Sequence, residues 1–301
     1  MTLDANGLSC GYGDTCVVDD VSFTLDQGRV LTVLGPNGVG KTTFFKTVLG
    51  FLPAQKGTVT IDGRPIAQLS RPALAQSIAY VPQTQDIPFA YTIEDVVLMG
   101  RACYLKLLQQ LRPVDYRVAD QVLRLMGIDH LAHKACSEVS GGELQLAFIA
   151  RALAQEPAYL VMDEPTASLD FGNQMHVLEH IMELTEHGIG VLMTTHDPNQ
   201  AFMLKSDVLL LQREMKHHHG YYRDILTSDE LSCTYGVNVS VHSIPHTDGP
   251  IDCCLALPRR RASDMAVCDD GAQSASQQAD IASIQQCSAC SNATMYTNSR
   301  G

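Results

Sequence analysis

Gly35-Pro36-Asn37-Gly38-Val39-Gly40-Lys41-Thr42 decides how this chain is read. The octet follows Val30–Leu34, a short β-rich run, and leads into Thr42–Leu49, which has helical spacing. Strand, glycine loop, helix is the opening of a βα unit. The octet also fits G-x-x-x-x-G-K-[ST] in the structural context that this pattern requires. Its glycines let backbone N–H groups turn inward around phosphate oxygens, and the helix N-terminus adds its dipole. Lys41 then reaches the β- and γ-phosphates of a bound nucleotide, and the Thr42 hydroxyl offers an oxygen to Mg2+.

Reading outward, Val21, Phe23 and Leu25 alternate with polar residues, as in a strand with one buried face. Thr58–Ile61 before Asp62-Gly63 reads as a strand ending in a turn, and Ile78–Val81 as a strand stopped by Pro82. From about Thr92 to Ala154 the pattern is helical, with Glu94-Asp95 in a first turn, Val118, Val122 and Leu125 at helical spacing, and Gly127 as a C-cap. Strand signals return at Tyr159–Met162, Val191–Thr194 and Val208–Leu211, with an amphipathic helix over Asn173–Glu186. Alternating apolar strands and helices imply a mostly parallel sheet covered by helices. The fold class is therefore α/β, a P-loop nucleotide-binding core with an N-terminal antiparallel β portion and an inserted helical subdomain over about 90–155. No internal repeat is visible.

The chain has 301 residues, 45% hydrophobic and 18% charged, which is globular composition. Its formal charge of -12 argues against bulk binding to nucleic acid, which needs clustered Lys and Arg. A local phosphate pocket built from backbone N–H groups is still allowed. The N-terminus lacks the pattern of a secretory signal, and no apolar run approaches the ~20 residues of a bilayer span. The expected location is intracellular, or on a membrane through a partner. The ten cysteines are scattered, as expected of reduced cytosolic thiols, and five lie beyond residue 250.

Three further features carry chemistry. Leu160-Val161-Met162-Asp163-Glu164 is an apolar strand ending in two carboxylates, at the sheet edge where α/β folds bind ligands. Asp163 is expected to hold Mg2+, directly or through water, and Glu164 to polarise the attacking water. Val139-Ser140-Gly141-Gly142-Glu143 opens a helix with a capping serine and two glycines that expose its first N–H groups, a second anion site. On the residues alone, a plain capped helix is the favoured reading. Two phosphate sites in one chain are explained if two chains share each nucleotide.

In order along the chain come the glycine loop, a lone Gln83 after a strand, Ser140-Gly141-Gly142, Asp163-Glu164, Ser168-Leu169-Asp170, and His196 after a strand. This set over roughly residues 1–240 resembles the ATP-binding subunit of an ABC transporter. The resemblance implies ATP as ligand and Mg2+ as cofactor. It assigns Tyr12 to stacking on adenine, and Gly35, Asn37, Gly38, Gly40, Lys41, Thr42 and Thr43 to the phosphates. Ser140, Gly141, Gly142 and Glu143 would close on the ATP of a second copy, with Asp170 crossing the dimer. Gln83 would link Mg2+ and water to the membrane partner, Glu164 would be the catalytic base, and His196 the switch at the γ-phosphate. Metal contacts are expected from Thr42, Gln83 and Asp163. The implied partners are two transmembrane permease subunits and, indirectly, a substrate-binding protein. An apolar face near Gln83 and the helical insertion would receive the permease.

Thr92–Arg101, Ser140–Glu143 with Glu at 143, His196–Ala201, and Ile225–Thr227 with Tyr235–Val237 are similar to importers of iron-siderophore, haem and cobalamin. Zinc and manganese importers share parts of this, and a soluble, non-transport ABC ATPase is the alternative from another class. Leu146 stands where the family often has Arg, and Val139 where Leu is commoner; neither carries a phosphate contact. His217-His218-His219 cannot all converge on one ion from a regular element. Residues 241–261 read as a short C-terminal extension. Residues 262–301 hold seven Ser, eight Ala and five Gln, twenty of forty, with no Leu, Phe or Lys. That tail is expected to be disordered, and the Cys287–Cys290 pair in it to be incidental.

Overall fold

A computed structural model describes residues 1–83, 91–106, 108–247 and 249–258. β1 (Thr2–Tyr12) and β2 (Thr15–Asp26) form an antiparallel hairpin, and β3 (Val30–Leu34) leads through the glycine loop into α1 (Lys41–Val48). β4 (Lys56–Ile61) pairs with β1 and with the short β5 (Arg64–Pro65), giving an antiparallel sheet of order β2-β1-β4-β5. This is the expected N-terminal β portion. β1 alternates buried Leu3 and Ala5 with Asp4, which accepts from Thr2 and Thr24 hydroxyls.

α2 (Arg71–Ser77), capped by Ser70, precedes β6 (Ile78–Val81). The helical block follows as α3 (Ile93–Met99), α4 (Pro113–Leu125) and α5 (Gly141–Leu153). Thr92 and Asp95 close a reciprocal capping box on α3, and Pro113 starts α4 at its first position. β7 (Tyr159–Met162) pairs in parallel with β6, so the whole block is inserted between two neighbouring strands. α6 (Phe171–Glu186), β8 (Gly190–Thr195), α7 (Pro198–Leu204), β9 (Asp207–Leu211) and β10 (His217–Tyr221) complete a six-stranded sheet of order β10-β9-β3-β8-β7-β6. Five strands are parallel, and only β10 runs antiparallel at the edge.

Alternate residues of these strands enter cores on opposite faces. Leu160, Met162, Val191 and Met193 meet the helical block and α6. Tyr159, Val161, Leu192 and Leu209 meet Phe44 and Phe45 of α1, which lies between the two sheets. The all-apolar runs of the sequence are what a strand covered on both sides requires.

α8 (Tyr222–Ile225), α9 (Ser228–Tyr235), β11 (Asn238–Ile244) and β12 (Ile251–Leu257) end the described chain. The expected boundary at 240/241 falls inside β11 and needs correction. β11 and β12 form a hairpin whose Cys254, Val239 and Val241 pack with Leu34, Phe202 and Tyr222, so residues through Leu257 belong to one compact unit. The histidine triplet forms β10, where successive side chains point to opposite faces. The tail at 262–301, with Cys287 and Cys290, lies outside the described residues.

Candidate active site

The sheet order determines the site. The carboxyl ends of β6, β7, β8 and β3 lie side by side, and each is followed directly by a chemistry-bearing residue. These are Gln83, Asp163 with Glu164, His196, and the glycine loop. Residues up to 161 positions apart (196 and 35) thus converge at the edge where parallel α/β sheets bind ligands.

The glycine loop holds conformations closed to other residues. Gly35, Gly38 and Gly40 have φ of 152°, 80° and 111°. A Cβ on Gly35 would stand 2.5 Å from the Leu211 carbonyl oxygen, and one on Gly40 2.6 Å from Val17 Cγ1. Lys41 is buried and donates to the Gly35 carbonyl at 2.8 Å, with Glu164 Oε1 3.7 Å away. Burial pulls its pKa below the usual lysine value, while Glu164 and Asp163 act the other way. A cavity of ≈ 540 Å³ is lined by Asn37, Gly38, Gly40, Lys41, Thr42, Thr43, Gln83, Glu164 and Val17.

Two neighbouring carboxylates differ in their setting: Glu164 lines the cavity and Asp163 lies behind Thr42. Asp163 is almost fully buried; its Oδ2 accepts from Thr42 at 3.2 Å and its Oδ1 from Thr194 at 2.6 Å. Glu164 sits at φ +48°, its N–H donating to Thr194 Oγ1 at 2.8 Å. Glu164 Oε2 accepts from Gln83 Nε2 at 3.1 Å and lies 3.3 Å from His196 Nδ1. Glutamate, glutamine, histidine and lysine therefore form one contiguous polar group above the sheet.

Thr194 carries no role in the sequence reading, yet it supports both carboxylate residues. Its signal was the polar Thr194-Thr195 pair closing an otherwise aliphatic strand. Val17, which the sequence did not single out, lines the cavity from the β1–β2 hairpin.

The Ser140-Gly141-Gly142 stretch lies elsewhere. Ser140 caps α5, accepting from Glu143 N–H at 3.3 Å, and Glu143 accepts from Ser140 N–H at 2.7 Å. That contact holds the Glu143 carboxyl below its usual pKa. Gly141 is exposed with open space around its Cα. A Cβ on Gly142 would meet Asn173 at 2.5 Å, and Asn173 is itself tied to Asp170, the cap of α6. None of Ser140, Gly141, Gly142, Glu143 or Asp170 lines the cavity, and neither does Tyr12, an exposed residue at the end of β1.

This fold with this site defines a P-loop nucleoside-triphosphatase. The ABC transporter family profile matches residues 18–167. An uncharacterized ABC transporter ATP-binding protein of Haemophilus influenzae is 40% identical over 78% of this chain and 89% of its own. The iron(3+)-hydroxamate import ATP-binding protein FhuC of Bacillus subtilis is 31% identical over 84% and 94%. The molybdate import ATP-binding protein MolC of Haemophilus influenzae is 37% identical over 71% and 80%. Among solved structures, a metal-chelate type ABC transporter in an inward-facing conformation superposes with a TM-score of 0.77, at 32% identity over 86% of this chain and 98% of its own. The chain belongs to the ABC transporter family, as an ATP-binding subunit whose ATP hydrolysis is coupled to transport. Among the described residues no helix is long and apolar enough to cross a membrane.

Proposed function

We propose that this subunit energises uptake of an iron chelate or cobalamin through two permease subunits, on the cytoplasmic face of the membrane. The observation that carries the cargo class is the likeness to the metal-chelate type transporter over 86% of the chain. The relative named for iron(3+)-hydroxamate import points the same way. A surface for a partner is available on the helical block. Tyr91, Leu98, Met99, Leu105, Leu111 and Tyr116 line a groove of ≈ 530 Å³ on the helical block, with Met99 and Tyr116 more than 40% exposed.

The phosphates of ATP bind the N–H groups of the glycine loop, with Lys41 placed for the β- and γ-phosphates. Thr42, Asp163 and Gln83 offer hard oxygen donors, which suits Mg2+. Bound there, Mg2+ would neutralise charge on the phosphates. Glu164 orients the attacking water by accepting its hydrogen bond, and His196 donates to the γ-phosphate. Water adds to the γ-phosphorus as the bond from that phosphorus to the ADP oxygen breaks; Glu164 takes the water proton, and ADP and inorganic phosphate leave. Tyr12 stacks on adenine. Ser140, Gly141, Gly142 and Glu143 of a second copy close the site, with Asp170 beside the seam; their separation from the cavity within one chain is what supports this arrangement.

Glu164→Gln is expected to bind ATP, to reduce turnover at least a hundredfold, and to accumulate as an ATP-dependent dimer on size-exclusion chromatography. Turnover at the wild-type rate would remove Glu164 as the base. For the cargo, the chain is tagged and recovered from detergent-solubilised membranes, and its companions are identified by mass spectrometry. A polytopic permease with a binding protein for an iron chelate or corrinoid supports the proposal. Recovery with ribosomes, or alone, refutes it.

A further inference from the structure

The His196 ring reaches Glu164 and is otherwise more than half exposed, so its position depends on the backbone on either side. On one side is β8. On the other is the first turn of α7, a seven-residue helix held from two directions. Gln200, 4% exposed, exchanges hydrogen bonds of 2.8 and 3.2 Å with the Thr166 hydroxyl, two residues after Glu164. Asn199, three residues after His196, forms a closed pair with the backbone of β12. Cys254 N–H donates to Asn199 Oδ1 at 2.9 Å, and Asn199 Nδ2 donates to the Cys254 carbonyl at 3.3 Å. A carboxamide used in this way imitates one rung of a β-ladder.

The same turn is tied back to the switch. Asp197 N–H donates to Thr195 Oγ1 at 3.1 Å, and Asn199 N–H donates to Asp197 Oδ1 at 2.9 Å. Cys254 itself is buried with Ala201, Phe202 and Leu34, the residue before Gly35. The C-terminal hairpin therefore bonds to the segment that carries His196 and packs against the strand that carries the glycine loop.

We propose that Asn199 is a positioning residue for ATP hydrolysis: by clamping α7 to β12 it fixes the backbone that presents His196 to Glu164 and the γ-phosphate. The inference rests on the roles given above to Glu164 and His196. The hairpin is then a brace for the active site. Nucleotide affinity is set separately, by the loop between β3 and α1, so loss of the clamp acts on turnover and not on ATP binding.

The test is steady-state ATP hydrolysis by the full chain, with melting temperatures recorded alongside. Asn199→Ala is expected to lower kcat about tenfold, as a small displacement of a reacting group does, with KM for ATP within about twofold of wild type. Asn199→Asp keeps the acceptor for Cys254 N–H and recovers part of the loss. Asn199→Gln carries the same amide one methylene further out and also lowers kcat, so the test stands even if the alanine variant fails to fold. On a His196→Ala background, Asn199→Ala adds little further loss, because both act on one contact. Ser232→Ala is the control. It frees Val239 N–H on the other edge of the hairpin, a 2.9 Å bond, without touching α7, and kcat is expected to hold. Equal losses from Ser232→Ala and Asn199→Ala, or full additivity with His196→Ala, would overturn the inference. A loss with His196→Ala but none with Asn199→Ala overturns the inference alone. No loss with His196→Ala overturns the site roles as well.

Discussion

Two single residues show how tightly the phosphate cradle is specified. Gly40 caps α1 at φ 111°, between Val17 and Val18 of β2. Gly40→Ala adds a Cβ 2.6 and 2.9 Å from two valine methyls at a backbone angle that L side chains rarely adopt. It is expected to cost about 1–3 kcal/mol of stability and to abolish ATP binding. Thermal melting and nucleotide titration check the two effects separately. Thr194 acts behind the carboxylates. Thr194→Val keeps the shape of the side chain but leaves Asp163 Oδ1 and Glu164 N–H without their partner, at about 1–3 kcal/mol for unsatisfied buried groups. Because Glu164 loses the contact that fixes its backbone, kcat is expected to fall more than ATP affinity. Unchanged kcat would show that the strand alone holds Glu164.

At the scale of elements, the helical block is fastened by a buried charge cluster. Arg101 donates to Asp115 Oδ1 at 3.1 Å, and to the Ala154 carbonyl and Glu156 Oε2, both at 2.7 Å. It thereby joins the end of α3, the start of α4 and the end of α5. Burial alone would raise the Asp115 pKa; the Arg112 backbone N–H and the Arg112 and Arg101 side chains outweigh it and hold the carboxyl below the usual range. Its folded-state pKa is thus lower than its unfolded one. The stabilisation is complete above the ordinary aspartate pKa and is lost as pH falls through the depressed folded value. Urea midpoints are expected to drop across that acidic window, and Asp115→Asn to remove that part of the slope. Asp115→Ala is expected to cost about 3 kcal/mol at neutral pH by removing the buried one of Arg101's two carboxylate partners and leaving only the half-exposed Glu156. Arg101 was legible in the sequence only as the end of a family-like segment; its partners at 115, 154 and 156 depend on how three helices meet, which spacing does not encode. The same holds for the site. The glycine loop, Asp163-Glu164 and the α5 cap could be read because local backbone chemistry dictates them. Thr194 and Asn199 could not, because their roles arise from strand order and from a hairpin bonded 55 residues away.

At the scale of the molecule, the two halves of the proposed nucleotide site lie apart within one chain. The cavity at the ends of β3, β6 and β7 contains the glycine loop, Gln83 and Glu164, while the exposed cap of α5 contains Ser140 and Gly141. A two-fold pair of chains would place each cap over its partner's cavity, making two equivalent composite sites. This arrangement makes a quantitative prediction. Lys41→Ala disables the cavity side, and Ser140→Arg disables the cap side. Each variant alone should be inactive, since both sites of its dimer are defective. In a mixed dimer one site carries both defects and the other carries neither. Equal mixing gives half mixed dimers with one intact site of two, so about a quarter of wild-type activity should return if the sites fire independently. If the two sites must fire together, no activity returns, but mixed dimers should still bind one ATP each, which equilibrium dialysis detects. ATP hydrolysis in proportion to chain concentration, with Ser140→Arg fully active by itself, would instead mean that each chain works alone. The cap of α5 would then be only a helix end.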